Sequence, residues 1–187
     1  MDEKVYNPVD EVDEDEIVRR AQKDLTQFAV LYDRYVQPVY RFLLARTANA
    51  AEAEDITSQT FLTAMQKLST YRADGHFMAW LFTIARNKQI DHYRKNHRRS
   101  LVELSENLEE YHPDLVIDVL QKERQSVLKQ ILSELPEKDS ELLALRLAAQ
   151  MSFAEIGVVM HKNSASVKKA YYRLLERLKT KAEVTHE

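Results

Sequence analysis

Glycine and proline are scarce in this chain of 187 residues: Gly75 and Gly157 are the two glycines, and Pro8, Pro38, Pro113 and Pro136 the four prolines. Tight β-turns draw on Gly for positive φ, and hairpins favour Asn-Gly or Asp-Gly pairs. Only Asp74-Gly75 is of that kind. A β-sandwich or barrel is nearly excluded, and so are phosphate-cradling loops, which need several glycines. Cysteine is absent, which removes disulfides, thiol catalysis and Cys-based zinc sites together. His92 and His97, five apart, do not share a helix face well, so no metal site is expected. Glu54 and Asp55 are adjacent and point apart, and no nucleophile–base pair can be argued. Neither catalysis nor a cofactor is expected. The acidic first 20 residues fit neither a signal nor a transit peptide. No apolar run approaches the ~18 residues of a membrane span. A cytoplasmic, mostly helical protein without membrane insertion is expected.

What is present is segregated charge. The net charge of −3 conceals −7 over residues 1–16, +5 over 86–99, −6 over 100–123 and +6 over 162–181. A single basic block is ordinarily a solvated helix face. Two such blocks, each within 20 residues, favour two contacts with a polyanion, and a sequence pI near 6.1 does not oppose this because the field that matters is local.

Periodicity divides the chain. Residues 1–14 read as a disordered acidic tail. Residues 15–97 read as one helical domain, broken near Asn49 and by a loop at Ser69–His76. Leu25, Phe28, Leu31, Tyr32 and Tyr35 form a buried face that Phe42 and Leu43 continue past Pro38. Ile56, Phe61, Ala64 and Leu68 form the apolar side of a second helix. In a third helix Phe77, Trp80, Leu81 and Ile84 share an arc and are assigned to the core, with Arg86, Asn87, Ile90 and Arg94 on another. Residues 98–122 read as an acidic flexible linker, and 123–183 as a second helical domain. There Val127, Leu128, Ile131 and Leu132 precede a stop at Pro136. Asp139 or Ser140 caps a helix bearing Leu142, Leu143, Leu145 and Leu147, and Ser152 with Glu155 has capping-box spacing. The fold class is all-α, two small domains with a helix-turn-helix in the second. That motif runs from Ser152 to Met160, turns at His161-Lys162-Asn163 and resumes at Ser164. Val167, Tyr171, Leu174 and Leu178 form the apolar spine of its second helix. Lys168, Lys169, Tyr172 and Arg173 lie opposite, as insertion into a major groove requires. The residues alone leave open a helix-turn-helix regulator with a helical sensor domain, or a helical adaptor for acidic proteins.

Met151-Ser-Phe-Ala-Glu-Ile-Gly followed by Ser164-Ala-Ser-Val-Lys-Lys is similar to region four of the extracytoplasmic-function (ECF) group of bacterial sigma factors. Ala53-Glu-Asp-Ile-Thr-Ser-Gln-Thr-Phe61 resembles the region-two helix that grips the β′ clamp helices of RNA polymerase. Phe77 to Asn87, with Ile90-Asp91-His92, resembles the segment that opens and reads the minus-ten element. Three motifs in family order, over roughly three quarters of the chain, imply an initiation factor that directs core RNA polymerase to promoters. The resemblance implies polymerase binding, at the β′ clamp helices and the β flap, with Asp55, Ser58, Gln59 and Phe61 at the contact. It implies minus-ten contacts from Arg72, Asp74, Arg86, Asn87 and Arg94, with Asn87 and the Ser69–His76 loop receiving a flipped base. Lys168, Lys169, Tyr172 and Arg173 are implied to face the minus-thirty-five element, with Arg146 on the DNA backbone. An anti-sigma factor is a further candidate partner. The chain departs from the family pattern at Ser58-Gln59, at His161 where Gly is usual, and at Lys169 and Ala170.

Overall fold

The computed structural model describes residues 13–100, 132 and 134–185, with side chains described for 13–95, 132 and 134–182. Helix α1 (Glu14–Lys23) is capped by Asp13, whose carboxylate accepts from the Asp15 N–H, and carries acids in its first turn and Arg20 and Lys23 in its last. Both arrangements complement the helix dipole. The last two residues of the expected tail thus belong to a helix start, and residues 1–12 lie outside the described residues. Asp24 then caps a short 3-10 turn, Leu25–Gln27. This break was not visible in the periodicity, and it removes Leu25 from the buried face, leaving it 52% exposed.

Helix α2 (Phe28–Thr47) buries Phe28, Leu31, Tyr35, Val39, Phe42 and Leu43. Tyr32, expected among them, is 43% exposed: Phe61 meets one edge of its ring, with centroids 4.8 Å apart, and the other side is left to solvent. Ala48, at φ 53°, ends α2, and Asn49 caps α3 (Ala50–Lys67) by accepting from the Glu52 N–H at 3.0 Å. The helices therefore part where the sequence placed the break. A 3-10 turn, Leu68–Thr70, takes up the start of the expected loop, which leaves residues 71–76 irregular.

Helix α4 (Phe77–Ser100) runs three residues beyond the domain end expected at 97. It buries Phe77, Ala79, Leu81, Phe82 and Ala85, while Trp80 and Ile84 are only partly buried. The buried arc is rotated from the expected one because α4 is covered on two sides, by α2 and α3 and by the C-terminal helices.

The expected linker beyond Ser100 lies outside the described residues, as do Val127, Leu128 and Ile131; Leu132 is exposed. Helix α5 (Glu137–Leu143) follows Pro136, so Asp139 and Ser140 lie within it and do not cap it. Instead Asp139 pairs with Arg177, and the Ser140 hydroxyl accepts from Arg46 Nη1 at 2.7 Å. A π-turn (Ala144–Ala148) shifts the phase after α5, burying Leu145 but turning Leu147 outward at 61% exposure. Helices α6 (Phe153–Met160) and α7 (Ser164–Thr185) complete the helix-turn-helix. The capping box forms as expected: the Ser152 N–H donates to Glu155 Oε2 at 2.7 Å, and the Glu155 N–H to Ser152 Oγ at 3.2 Å.

The two halves share one core. Leu142, Leu145, Met151, Phe153 and Ile156 join the cluster of Phe42, Phe82 and Ala85. The π-turn packs on α2, and α6 on α4. Among the described residues no strand forms and no helix is long and apolar enough to cross a membrane.

Candidate functional site

The expected site residues fall on three surfaces. On α3, Asp55, Ser58 and Gln59 are exposed. Gln59 Nε2 donates to Asp55 Oδ2 at 2.8 Å, one turn away, which orients the carboxylate. Phe61 does not belong to this surface. It has the helical phase of Thr57, Ala64 and Leu68 and is buried against Phe28 and Tyr32. The apolar groups exposed nearby are Leu62 on α3 and Tyr32 on α2.

The second surface comprises the 71–76 loop and one side of α4. Arg72 and Asp74 are exposed, and the Tyr71 hydroxyl donates to Asp74 Oδ1 at 3.2 Å. Burial and the adjacent Asp74 carboxylate push the Tyr71 phenol above its ordinary pKa. Its ring packs on Phe77 (5.6 Å) and Trp80 (4.9 Å), closing an aromatic cluster beneath the loop. Asn87 and Arg94 are exposed farther along α4. Asn87 stands ten residues past Phe77, roughly 15 Å along the helix at 1.5 Å per residue. Arg86 is committed within the molecule. Its Nε donates to Oε1 of Glu141 on α5, a carboxylate that is itself buried. Arg46 strengthens the same junction, with Nη2 3.7 Å from Glu137 Oε1.

The third surface is the outer side of α7. Val167 and Leu174 are buried, Tyr171 and Leu178 are half-buried, and Lys168, Lys169, Tyr172 and Arg173 are all exposed opposite them. Here the expected division of the helix holds. Arg146, expected on a DNA backbone, is engaged locally: Nη1 donates to the Met151 carbonyl at 2.7 Å, and the guanidinium lies 4.6 Å from the Phe153 ring centroid. It braces the bend at Gln150, where φ is 57°.

Two residues that shape these surfaces carry no role of their own in the sequence reading. Glu141 is one, and no local pattern marks a pair 55 residues apart. Gly157 is the other. A Cβ there would sit 2.6 Å from the Lys162 carbonyl oxygen, so the turn closes only against a residue without a side chain. An isolated Gly inside a helical pattern is a recognisable sign of close backbone approach. His161 ends α6 at φ 55°, the left-handed conformation that Gly adopts at least cost. No group of three or more metal-ligating side chains occurs among the described residues.

Comparison with known proteins places these surfaces in a family context. Residues 31–99 match the family model for Sigma-70 region 2, and residues 125–178 the model for Sigma-70, region 4. The chain is 36% identical to the ECF RNA polymerase sigma factor BldN of Streptomyces coelicolor over 87% of its length. It is 32% identical to the ECF RNA polymerase sigma factor SigM of Bacillus subtilis over 80% of its length. It spans 63% of the length of BldN and 91% of that of SigM. Among solved structures, CnrH in complex with the cytosolic domain of CnrY aligns with a TM-score of 0.68 at 18% identity, covering 91% of this chain and 97% of that one. The sigma factor RpoE of Bartonella quintana, in complex with the anti-sigma factor NepR, aligns with a TM-score of 0.64 at 24% identity, covering 87% and 98%. At these identities the structural likeness concerns the fold alone.

Proposed function

The chain belongs to the ECF group of RNA polymerase sigma factors, and from that membership we propose that it binds core RNA polymerase and directs it to particular promoters. One observation carries the reading. A single chain pairs an exposed Asp55-bearing face on α3 with an exposed Lys168–Arg173 face on α7, within regions 2 and 4 of the family in their proper order. An autonomous DNA-binding regulator needs the second face and has no use for the first. In this reading the protein is an initiation factor and not an enzyme, it acts in the cytoplasm beside the polymerase, and it needs no cofactor. An anti-sigma factor is a candidate partner, since the CnrH and RpoE structures hold the cytosolic domain of CnrY and the anti-sigma factor NepR respectively.

The roles of single residues follow the exposed surfaces. Asp55, Ser58 and Gln59 meet the polymerase, with Leu62 and Tyr32 supplying the apolar contact assigned from sequence to Phe61. Arg72 and Asp74 in the loop, with Asn87 on α4, receive a base extruded from the stack, and Arg94 contacts the minus-ten DNA nearby. Lys168, Lys169, Tyr172 and Arg173 face the minus-thirty-five element. The two elements lie about 25 base pairs apart, or ~85 Å at 3.4 Å per base pair. Two halves packed on one shared core and bridged by the Arg86–Glu141 pair cannot span that distance, so they separate when both elements are held, and Arg86 is then released to DNA.

The polymerase contact is open to a direct test. Asp55→Arg is expected to weaken competition with the wild-type chain for core RNA polymerase by about tenfold or more, the magnitude of a charge-assisted hydrogen bond replaced by repulsion. Its fold is expected to be unchanged, because among the described residues the exposed carboxylate bonds Gln59 within its own helix and such pairs contribute ~0.2–0.5 kcal/mol. Equal competition by wild type and variant removes Asp55 from the contact.

A further inference from the structure

Helix α1 precedes the 31–99 segment matched by the region 2 model, and sequence analysis gave it no role. In the structure it holds both ends of the 71–76 loop. The Gln22 side-chain amide donates to the Leu68 carbonyl at 2.8 Å and to the Tyr71 carbonyl at 2.7 Å. An amide NH2 has two protons to give, so this fork uses its whole donor capacity on the point where the loop leaves α3. At the other end, Asp15 Oδ1 accepts from the Gly75 N–H at 2.9 Å. Gly75 stands at φ 78° with nothing within 4 Å of a would-be Cβ, so packing does not fix its backbone. One residue farther back, Glu14 accepts from the Tyr35 hydroxyl and faces the Phe77 N–H. Burial pushes its carboxyl above the ordinary range, against the lowering pull of Arg34 and the Phe77 N–H. Between these anchors Arg72 and Asp74 remain exposed.

We infer that Gln22 and Asp15 are positioning residues for base selection: from α1 they fix both ends of the loop, and so its base preference, without touching DNA. The inference rests on the reading of the loop as a base-contacting element. A loop of this length, free at both ends, samples many shapes, and a pocket that discriminates between bases has to be held in one of them. The chain meets that need with three hydrogen bonds between α1 and the two ends of the loop.

The test is transcription by reconstituted holoenzyme from a template library randomised across the minus-ten element, with transcripts counted by sequence. Gln22→Met keeps the length and loses both donors. It is expected to lower the ratio between the best and worst bases at the loop-read position by about five- to tenfold, the scale of one base contact, with affinity for core polymerase unchanged. Asp15→Ala is expected to lower the same ratio. Asp15→Asn, which still offers an oxygen to the Gly75 N–H, is expected to restore it. Asp15 lies at the helix start, so its two variants decide the matter should Gln22→Met fail to fold. Exchange of Arg72–Asp74 serves as the reference. If the exchange shifts the preference and the α1 variants leave it unchanged, the inference is overturned alone. If the exchange itself changes nothing, the reading of the loop falls and the inference with it.

Discussion

Replacing Arg86 with Ala is expected to cost about 3 kcal/mol of stability, whereas Glu141→Gln is expected to cost ~1 kcal/mol or less. The asymmetry follows from burial. The Glu141 side chain is 8% exposed and the Arg86 side chain 29%. Removing the cation strands a buried carboxylate, which typically costs ~3–5 kcal/mol. We take the low end because the site lies close to solvent. Removing the carboxylate leaves a guanidinium that already reaches water and keeps an amide oxygen to bond. For a chain of this size, thermal unfolding should register the Arg86→Ala loss as a fall of roughly 6–12 °C. The variants should also diverge in function. Glu141→Gln loosens the junction that masks Arg86 and is expected to strengthen binding of the free chain to a promoter fragment at low salt, while Arg86→Ala removes a contact and is expected to weaken it. Equal and small stability losses in the two variants would mean that the pair does not hold the halves together.

A second large effect is expected at Gly157. Alanine ordinarily improves a helix interior by about 1 kcal/mol over Gly, yet Gly157→Ala is expected to destabilise the helix-turn-helix by ~1–3 kcal/mol. The new methyl would stand 2.6 Å from the Lys162 carbonyl oxygen, on the strand of backbone whose Lys162 N–H donates back to the Gly157 carbonyl at 2.8 Å. The turn has to move, and Asn163 moves with it. Asn163 caps α7, its Oδ1 accepting from the Ser166 N–H at 2.8 Å, so displacement of the turn re-aims the Lys168–Arg173 face. Promoter binding through the minus-thirty-five element is expected to fall more than stability alone accounts for. His161→Gly provides the opposite control. It relieves a left-handed residue at φ 55° and is expected to stabilise the same turn by up to about 1 kcal/mol. Urea unfolding of both variants checks the pair, and a neutral Gly157→Ala would refute the close-approach argument.

The helices and the division of α7 were legible because they depend on near neighbours. The Asn49 break, the Ser152–Glu155 capping box and the Val167–Leu174 spine are each written within a few residues. What stayed hidden depends on residues far apart in the chain. Trp80 and Ile84 have an apolar phase, but the C-terminal helices turn the buried arc of α4 toward Phe82 and Ala85. Phe61 lies within the motif that resembles a polymerase-binding helix, but its phase is that of the core. The π-turn after α5 exposes Leu147, and periodicity cannot anticipate a change of pitch. The Arg86–Glu141 pair and the Gln22 fork join residues about fifty positions apart. The acidic linker read at residues 98–122 lies, beyond Ser100, outside the described residues, and the carboxylate that engages Arg86 in the structure is Glu141.

The central claim is that this chain works through the polymerase. Its most direct test is in vitro transcription by purified core RNA polymerase, with and without the chain, on a library of genomic fragments. The account predicts transcripts that appear only when the chain is added, start at discrete positions and share a two-part upstream motif. A chain that binds a DNA motif tightly by itself and adds no transcript to core polymerase would contradict it.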